Sequence, residues 1–148
     1  MREILFRGFH PCDGPENIVV NGYKVKGEWI YGSHILIDGT HYIMPSRGHL
    51  HDITEVLTST VGQYSGLDDS DGRKVFEGDI LKFKDEPNDY EWTGCIEFGN
   101  PNCGYTWGFQ IVHLSGPEPN IDTLCWFDME EGGAYSEVIG TVFDEVTP

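Results

Sequence analysis

Short apolar runs alternate with polar or small residues along this chain, and turn-forming residues separate one run from the next. Two runs place large apolar side chains on alternate positions. The first has Trp92, Ile96 and Phe98, with Gly94 on the same face, and the second has Tyr105, Trp107, Phe109 and Ile111. A period of two is that of a half-buried β-strand. The 19 Gly and 8 Pro also favour strands and turns over long helices. The pattern therefore predicts an all-β protein with mainly antiparallel strands.

The N-terminal part is predicted to be a β-meander that contains a hairpin. Ile4 and Phe6 alternate with polar or small neighbours in a first strand, and residues 29–31 form a short aromatic strand. Residues 11–22 are predicted to be a loop between these strands. In the run HILIDGTHYIM, Asp38 and Gly39 separate two apolar segments and suit the positive φ angles of a two-residue type I′ turn.

That turn sets the register of the predicted hairpin. Leu36 lies opposite His41, and His34 lies opposite Ile43. His34 and His41 are then diagonal neighbours on one side of the ribbon.

The histidines raise a metal-binding hypothesis. His49 and His51 share a strand face if their segment is extended, so four histidines fall within residues 34–51. No spacing among them matches a zinc motif. Polar positions on a solvent-facing or partly covered strand explain them without a metal. We prefer that interpretation and assign no metal, cofactor or catalytic residue.

The C-terminal part is predicted to contain five short strands, at Asp79–Lys84, Glu91–Phe98, Tyr105–Leu114, Thr123–Met129 and Glu137–Glu145. An SH3-like small barrel is the preferred architecture because barrel closure removes exposed edges, and an open sandwich is the alternative. The chain is therefore divided into an N-terminal β portion (1–60), a connecting segment (61–79) and an acidic barrel (80–148). One compact unit overall is the other possibility.

Charge is distributed unevenly along the chain. Through Lys84 there are 12 acidic and 9 basic residues, a net charge of −3, so the remaining residues carry −13 of the total −16. No Lys or Arg follows Lys84. Direct binding of this acidic part to nucleic acid phosphates is not expected.

Neither a leader sequence nor a membrane-spanning segment is predicted. Gly8 and Pro11 interrupt the N-terminal run, and no apolar stretch approaches transmembrane length. The four cysteines contain no C-x-x-C pair, and reduced, mostly buried thiols are expected. These features predict a cytoplasmic protein.

The run LDDSDG resembles a calcium loop but has the wrong spacing. With Gly72 at the sixth position of an EF-hand loop, Leu67 takes the first position, where a carboxylate is required, and Gly78 takes the twelfth. A solvated turn is the preferred interpretation.

Gly62, Gly66 and Gly78 form no phosphate-binding motif, and no nucleophile elbow is present. Glu77 and Asp79 are interpreted as polar groups at a strand entrance. The protein is therefore not expected to be an enzyme.

Four sequence blocks resemble the YopX-like family of phage and prophage proteins. They are REILFRG (2–8), GEWIYG (27–32), TVGQYSGLDDSDGRKVFEGDI (60–80) and VIGTVFDEV (138–146). The resemblance implies a small protein of a temperate phage or a related mobile element, in a bacterial host. It implies no set of catalytic residues.

The expected function is that of a nonenzymatic, phage- or prophage-derived accessory protein that binds a macromolecule. An acidic surface favours a basic host or phage protein as partner. One version is a decoy that imitates the negative charge of nucleic acid and so binds a host DNA-binding enzyme. Solubility alone also explains the acidity. Two other interpretations are a small-ligand or carbohydrate-binding β module that uses Trp29, Trp92, Trp107 or Trp126, and a metal-dependent hydrolase that uses His, Asp or Glu. A homo-oligomer is also possible.

Overall fold

The computed structural model describes residues 4–46, 52–85, 89–99, 108–117 and 134–144. Within these ranges the chain forms ten β-strands and a short 3-10 helix at Thr58–Thr60. The strands are β1 (Phe6–Val20), β2 (Tyr23–Ile37), β3 (Thr40–Pro45), β4 (Thr54–Glu55), β5 (Gly62–Asp68), β6 (Lys74–Phe76), β7 (Asp79–Asp85), β8 (Tyr90–Gly99), β9 (Gly108–Ser115) and β10 (Ala134–Thr141). The all-β prediction is confirmed. No helix in these ranges has the length and apolar character needed to cross a membrane.

The chain divides into two compact units. The first comprises Met1–Tyr64 and Phe143–Pro148, and the second comprises Ser65–Val142. In the first unit, β4, β3, β2, β1 and the start of β5 lie side by side in that order, and each described pair is antiparallel. Their buried side chains include Phe9, Ile18, Ile43, Val56 and Tyr64.

The first hairpin is longer than the sequence pattern predicts. The predicted loop at residues 11–22 is wrong, because β1 continues to Val20 with a register shift between Pro11 and Glu16. Asn21 and Gly22 form the turn, with φ angles of 51° and 83°. Gly27 pairs with both sides of the bulge, and a Cβ at Gly27 would lie 2.0 Å from the His10 carbonyl oxygen. A glycine is thus required where the irregular strand approaches its partner.

The second hairpin has the predicted turn and register. Asp38 and Gly39 have φ angles of 48° and 80°. Leu36 pairs with His41, and His34 pairs with Ile43. The predicted turn and register are therefore confirmed.

The second unit contains a four-stranded antiparallel sheet in the order β10, β7, β8 and β9. Strands β7, β8 and β9 correspond to predicted strands. The last strand begins at Ala134 instead of the predicted Glu137 and ends at Thr141. The predicted strand at 123–129 lies outside the described residues, so closure into an SH3-like barrel stays a prediction.

The core of the second unit follows the predicted alternation, with one exception. It consists of Val75, Leu81, Phe83, Trp92, Ile96 and Ile111, with Phe109 and Val138 packed against it. Phe98 shares the face of Trp92 and Ile96 but is 55% exposed, because it lies at the end of β8, where it packs edge-to-face on Phe109. Tyr105 and Trp107 lie outside the described residues.

Candidate functional site

The two histidines that the sequence predicted to be diagonal neighbours, His34 in β2 and His41 in β3, contact each other directly. His34 Nε2 lies 2.7 Å from His41 Nδ1, within hydrogen-bond distance. The rings are nearly parallel, with an interplanar angle of 13° and centroids 5.0 Å apart. A type I′ turn and a diagonal cross-strand relation therefore place two imidazoles in direct contact.

The surroundings of His34 favour its uncharged form. Burial, and then the charge of neighbouring His41, lower the pKa of His34 below its ordinary value of 6.5. The Phe6 ring lies 5.3 Å from the His34 ring and covers one side of it. In a neutral pair, one ring donates its N–H and the other accepts it, so the contact is satisfied only while at least one ring is neutral.

We expect this pair to make the first unit less stable in mild acid. The unfolded pKa of His34 is near 6.5 and the folded pKa is lower, so the unfolded state binds the proton more readily. The stabilisation is complete above the unfolded pKa and is lost as the pH falls through the folded pKa. Urea unfolding of metal-free protein between about pH 7.5 and about pH 5.5 measures this loss.

The matched control for this prediction is His34→Gln. The pH dependence of the free energy of unfolding should be shallower in His34→Gln than in the natural chain over that range. Identical slopes for the two proteins would contradict the assignment of the effect to His34.

The other histidines do not join this pair within the described ranges. The ring of His10 contacts the Glu55 carbonyl oxygen through Nδ1 at 2.7 Å, and His113 contacts the Gly116 carbonyl oxygen through Nε2 at 2.8 Å. His49 and His51 lie outside the described residues. Among the described side chains, no group of three or more His, Cys, Asp or Glu is arranged to hold a metal ion.

The turn LDDSDG is organised by one buried carboxylate. Asp69 is 4% exposed. Its Oδ1 accepts the backbone N–H of Asp71 at 3.0 Å and of Arg73 at 2.8 Å, and its Oδ2 accepts the N–H of Val138 in β10 at 2.9 Å. The predicted solvated turn is thus wrong for Asp69, because its side chain is an internal hydrogen-bond acceptor that closes the turn and attaches it to β10.

Further contacts connect the same turn to β10. Ser70 donates its N–H to the Ser136 carbonyl oxygen and accepts the Ser136 N–H at Oγ, both at 2.9 Å. Tyr135 donates its hydroxyl to Asp71 Oδ2 at 3.0 Å. That hydrogen bond, followed by desolvation and neighbouring carboxylates, raises the pKa of Tyr135 above 10.0. Asp69 and Asp71 therefore both accept hydrogen bonds from other groups of the protein.

Asp79 has a comparable role at the start of β7. It is 1% exposed, and its Oδ2 accepts the Phe76 N–H at 2.8 Å. Gly78, just before it, has a φ of 92° and donates its N–H to the Ile96 carbonyl oxygen at 2.7 Å. The run FEGDI thus forms a tight turn into a core strand, which agrees with the interpretation of Asp79 as a polar group at a strand entrance.

Two of the four tryptophans considered as ligand-stacking groups lie in the described ranges, and both are packed within the protein. Trp92 is 2% exposed and stacks on Phe83 with ring centroids 4.1 Å apart. Trp29 contacts Phe9 edge-to-face, and the Arg7 guanidinium lies 4.8 Å above the Trp29 ring. Trp107 and Trp126 lie outside the described residues.

The described cysteines differ in exposure. Cys12 is exposed, and Cys95 is buried in β8, where its thiol donates to the Ile96 carbonyl oxygen at 3.7 Å. Cys95 thus agrees with the expectation of mostly buried thiols, and Cys12 is an exception to it. Cys103 and Cys125 lie outside the described residues.

The four recognised sequence blocks contact one another within each unit. In the first unit, Arg7 of the first block packs on Trp29 of the second, and the Trp29 ring lies 6.0 Å from that of Phe143 in the last block. In the second unit, Asp69 of the long block binds Val138 of the last. Residues of separate blocks therefore pack on or hydrogen-bond to one another within each unit.

The chain is therefore an all-β protein with two antiparallel sheets, and residues from separated sequence blocks contact one another within each unit. The sequence pattern of the family described as YopX protein matches residues 6–146, nearly the whole chain. The chain belongs to the YopX family. No curated protein and no solved structure matched it.

Proposed function

We propose that this chain is a nonenzymatic, phage- or prophage-derived accessory protein that binds a basic protein in the cytoplasm of a bacterial host. The observation that carries the proposal is the charge distribution, since residues after Lys84 carry −13 of the net −16. A field of one sign attracts partners of the opposite sign and increases their rate of association.

Local ion pairs in the second unit support this proposal. Lys82 Nζ lies 3.3 Å from Glu91 Oε2, and Lys84 Nζ lies 3.8 Å from Glu91 Oε1. Such exposed pairs contribute little to stability. They do place the last two basic side chains of the sequence beside a carboxylate, which moderates the positive charge on β7. Exposed acids such as Asp89 and Glu97 then contribute to a negative surface.

The structural roles of the family residues also support a binding protein over an enzyme. Asp69 and Asp79 are the two buried carboxylates of the long block, and both accept backbone N–H groups. A general base must instead reach a substrate proton. The packed positions of Trp29 and Trp92 likewise favour a protein partner over a stacked sugar or nucleotide.

The proposal is tested by capture from a bacterial lysate followed by affinity measurements. The immobilised full chain is exposed to lysate at about 0.01 M and about 1 M ionic strength, where the Debye length falls from ~30 Å to ~3 Å. We expect a basic protein to be retained only at low salt. The partner is then purified, and its Kd is measured against the natural chain and two double variants.

The two double variants test whether the partner binds the acidic second unit or responds to the negative charge of the protein as a whole. Asp89→Asn with Glu97→Gln removes two exposed charges from the second unit, and Asp13→Asn with Glu16→Gln removes two from the first. The first pair should raise the Kd at least about threefold, and the second should have less effect. A partner without basic character, or equal effects of the two pairs, would overturn the proposal.

A further inference from the structure

We propose that His34 and His41 form a chelating site for a divalent late transition-metal ion, with Cu²⁺ bound most tightly. The ligand atoms are Nε2 of His34 and Nδ1 of His41. This site lies in the first unit, and it does not depend on the acidic part or on a protein partner.

The distance between the two nitrogens is close to that of a chelate. They are 2.7 Å apart. Metal–imidazole bonds of 2.0–2.1 Å at angles between a right angle and the tetrahedral value place two ligand nitrogens about 2.8–3.4 Å apart. A rotation of the rings that turns both nitrogen lone pairs toward one point, with a nitrogen–nitrogen separation larger by about 0.1–0.7 Å, therefore admits an ion in place of the shared hydrogen atom.

The backbone holds both ligands on regular strands instead of loops. The Asp38–Gly39 turn sets the register, and His34 and His41 occupy diagonal positions on neighbouring strands. Regular elements place ligands more reproducibly than loops do. The chelate is therefore largely formed before an ion binds, which reduces the entropy lost on binding.

One side of the pair is packed and the other is accessible. Ile43, opposite His34, is fully buried, and the Phe6 ring lies 5.3 Å from that of His34. Leu36, opposite His41, is 57% exposed. Both histidines are half-buried. An ion can therefore approach from the exposed end while it retains water molecules as its remaining ligands.

The protons balance without a further reactant. The neutral pair carries one N–H on each ring, and one of these hydrogens lies between the rings. When the metal binds, the hydrogen between the rings moves to the outer nitrogen of its own ring, so the two hydrogens occupy Nδ1 of His34 and Nε2 of His41, one ring changes tautomer and no net proton is released. A protonated pair releases one proton, so affinity decreases in acid.

The ligand set selects the class of metal. Neutral imidazole suits Zn²⁺, Ni²⁺ and Cu²⁺, whereas Mg²⁺ and Ca²⁺ prefer carboxylate and carbonyl oxygen. Affinity for nitrogen ligands reaches its maximum at Cu²⁺ in the divalent series. Two protein ligands with water in the other positions make an exchangeable site instead of a closed structural one.

The test is a titration of the untagged full chain with Cu²⁺ alone at about pH 7.4, followed by calorimetry and electron paramagnetic resonance. We expect one equivalent to bind first, with hyperfine coupling from two imidazole nitrogens. His34→Gln and His41→Gln should each weaken that site at least about tenfold, because the second imidazole of a chelate acts at a high effective concentration.

Two controls use the remaining histidines. His10→Gln with His113→Gln, and His49→Gln with His51→Gln, should leave the first equivalent unchanged. Coupling to fewer than two imidazole nitrogens in the natural chain would overturn the proposal without any variant. An effect of either control pair equal to that of His34→Gln would overturn it as well.

Discussion

Asp69→Ala is expected to lower the free energy of unfolding of the second unit by about 3–5 kcal/mol. The Asp69 carboxylate accepts three backbone N–H groups, from Asp71, Arg73 and Val138, and is 4% exposed. Hydrogen bonds to a charged group each contribute about 1.5–3 kcal/mol, and the loss of their common acceptor leaves several donors unsatisfied at once. Urea unfolding followed by circular dichroism measures the change.

A local measurement distinguishes this explanation from general damage. The Val138 amide donates to Asp69 Oδ2, so its hydrogen exchange should accelerate in Asp69→Ala before the unit unfolds as a whole. Asp71→Asn is the matched control because Asp71 lies in the same turn and is exposed. We expect Asp71→Asn to lower the free energy of unfolding by only a small fraction of the decrease caused by Asp69→Ala. Equal stabilities of Asp69→Ala and Asp71→Asn would refute the proposed role of the buried carboxylate.

Phe83→Ala is expected to destabilise the second unit by about 3–5 kcal/mol. Phe83 is fully buried in β7, and its ring stacks on Trp92 with an interplanar angle of 14°. Truncation removes apolar contacts and leaves a cavity that the neighbouring strands fill only in part. The loss also removes an aromatic pair, which contributes beyond its buried area. Thermal and urea unfolding both measure the effect.

Phe98→Ala is the matched control for this prediction. It removes the same side chain from the neighbouring strand, but Phe98 is 55% exposed. We expect it to cost well under half as much as Phe83→Ala, since less apolar surface returns to water. If the two truncations destabilise the protein equally, the position of Phe83 at the centre of the core is incorrect.

The second hairpin shows how much the sequence pattern can predict. Asp38–Gly39 between two apolar segments is sufficient to predict the turn, the pairing of β2 with β3 and the diagonal positions of His34 and His41, because a two-residue turn leaves one register. The same signal is present at Asn21–Gly22, but residues 11–17 are mostly polar and contain Pro, a composition that predicts a loop. That composition instead belongs to an exposed, bulged part of β1.

The buried carboxylates show what the sequence pattern did not reveal. Asp69 lies in a run with the composition of a solvated turn, and Asp79 lies at a strand entrance. Both side chains are nevertheless almost fully buried. Their burial depends on backbone N–H groups, and the donor to Asp69 from Val138 is 69 positions away along the chain. A linear pattern contains no information on such a partner until the strands are assembled.

By itself, the sequence determined the family, the all-β class, the second hairpin and the unequal distribution of charge. These properties are local or additive, because turn dipeptides, alternation and charge depend on neighbouring residues or on sums. Only the tertiary structure decided which aspartates are internal acceptors, which aromatic residue of β8 remains exposed and how close the two histidine nitrogens lie. Those properties depend on distances between separate strands, which packing and long-range hydrogen bonds determine.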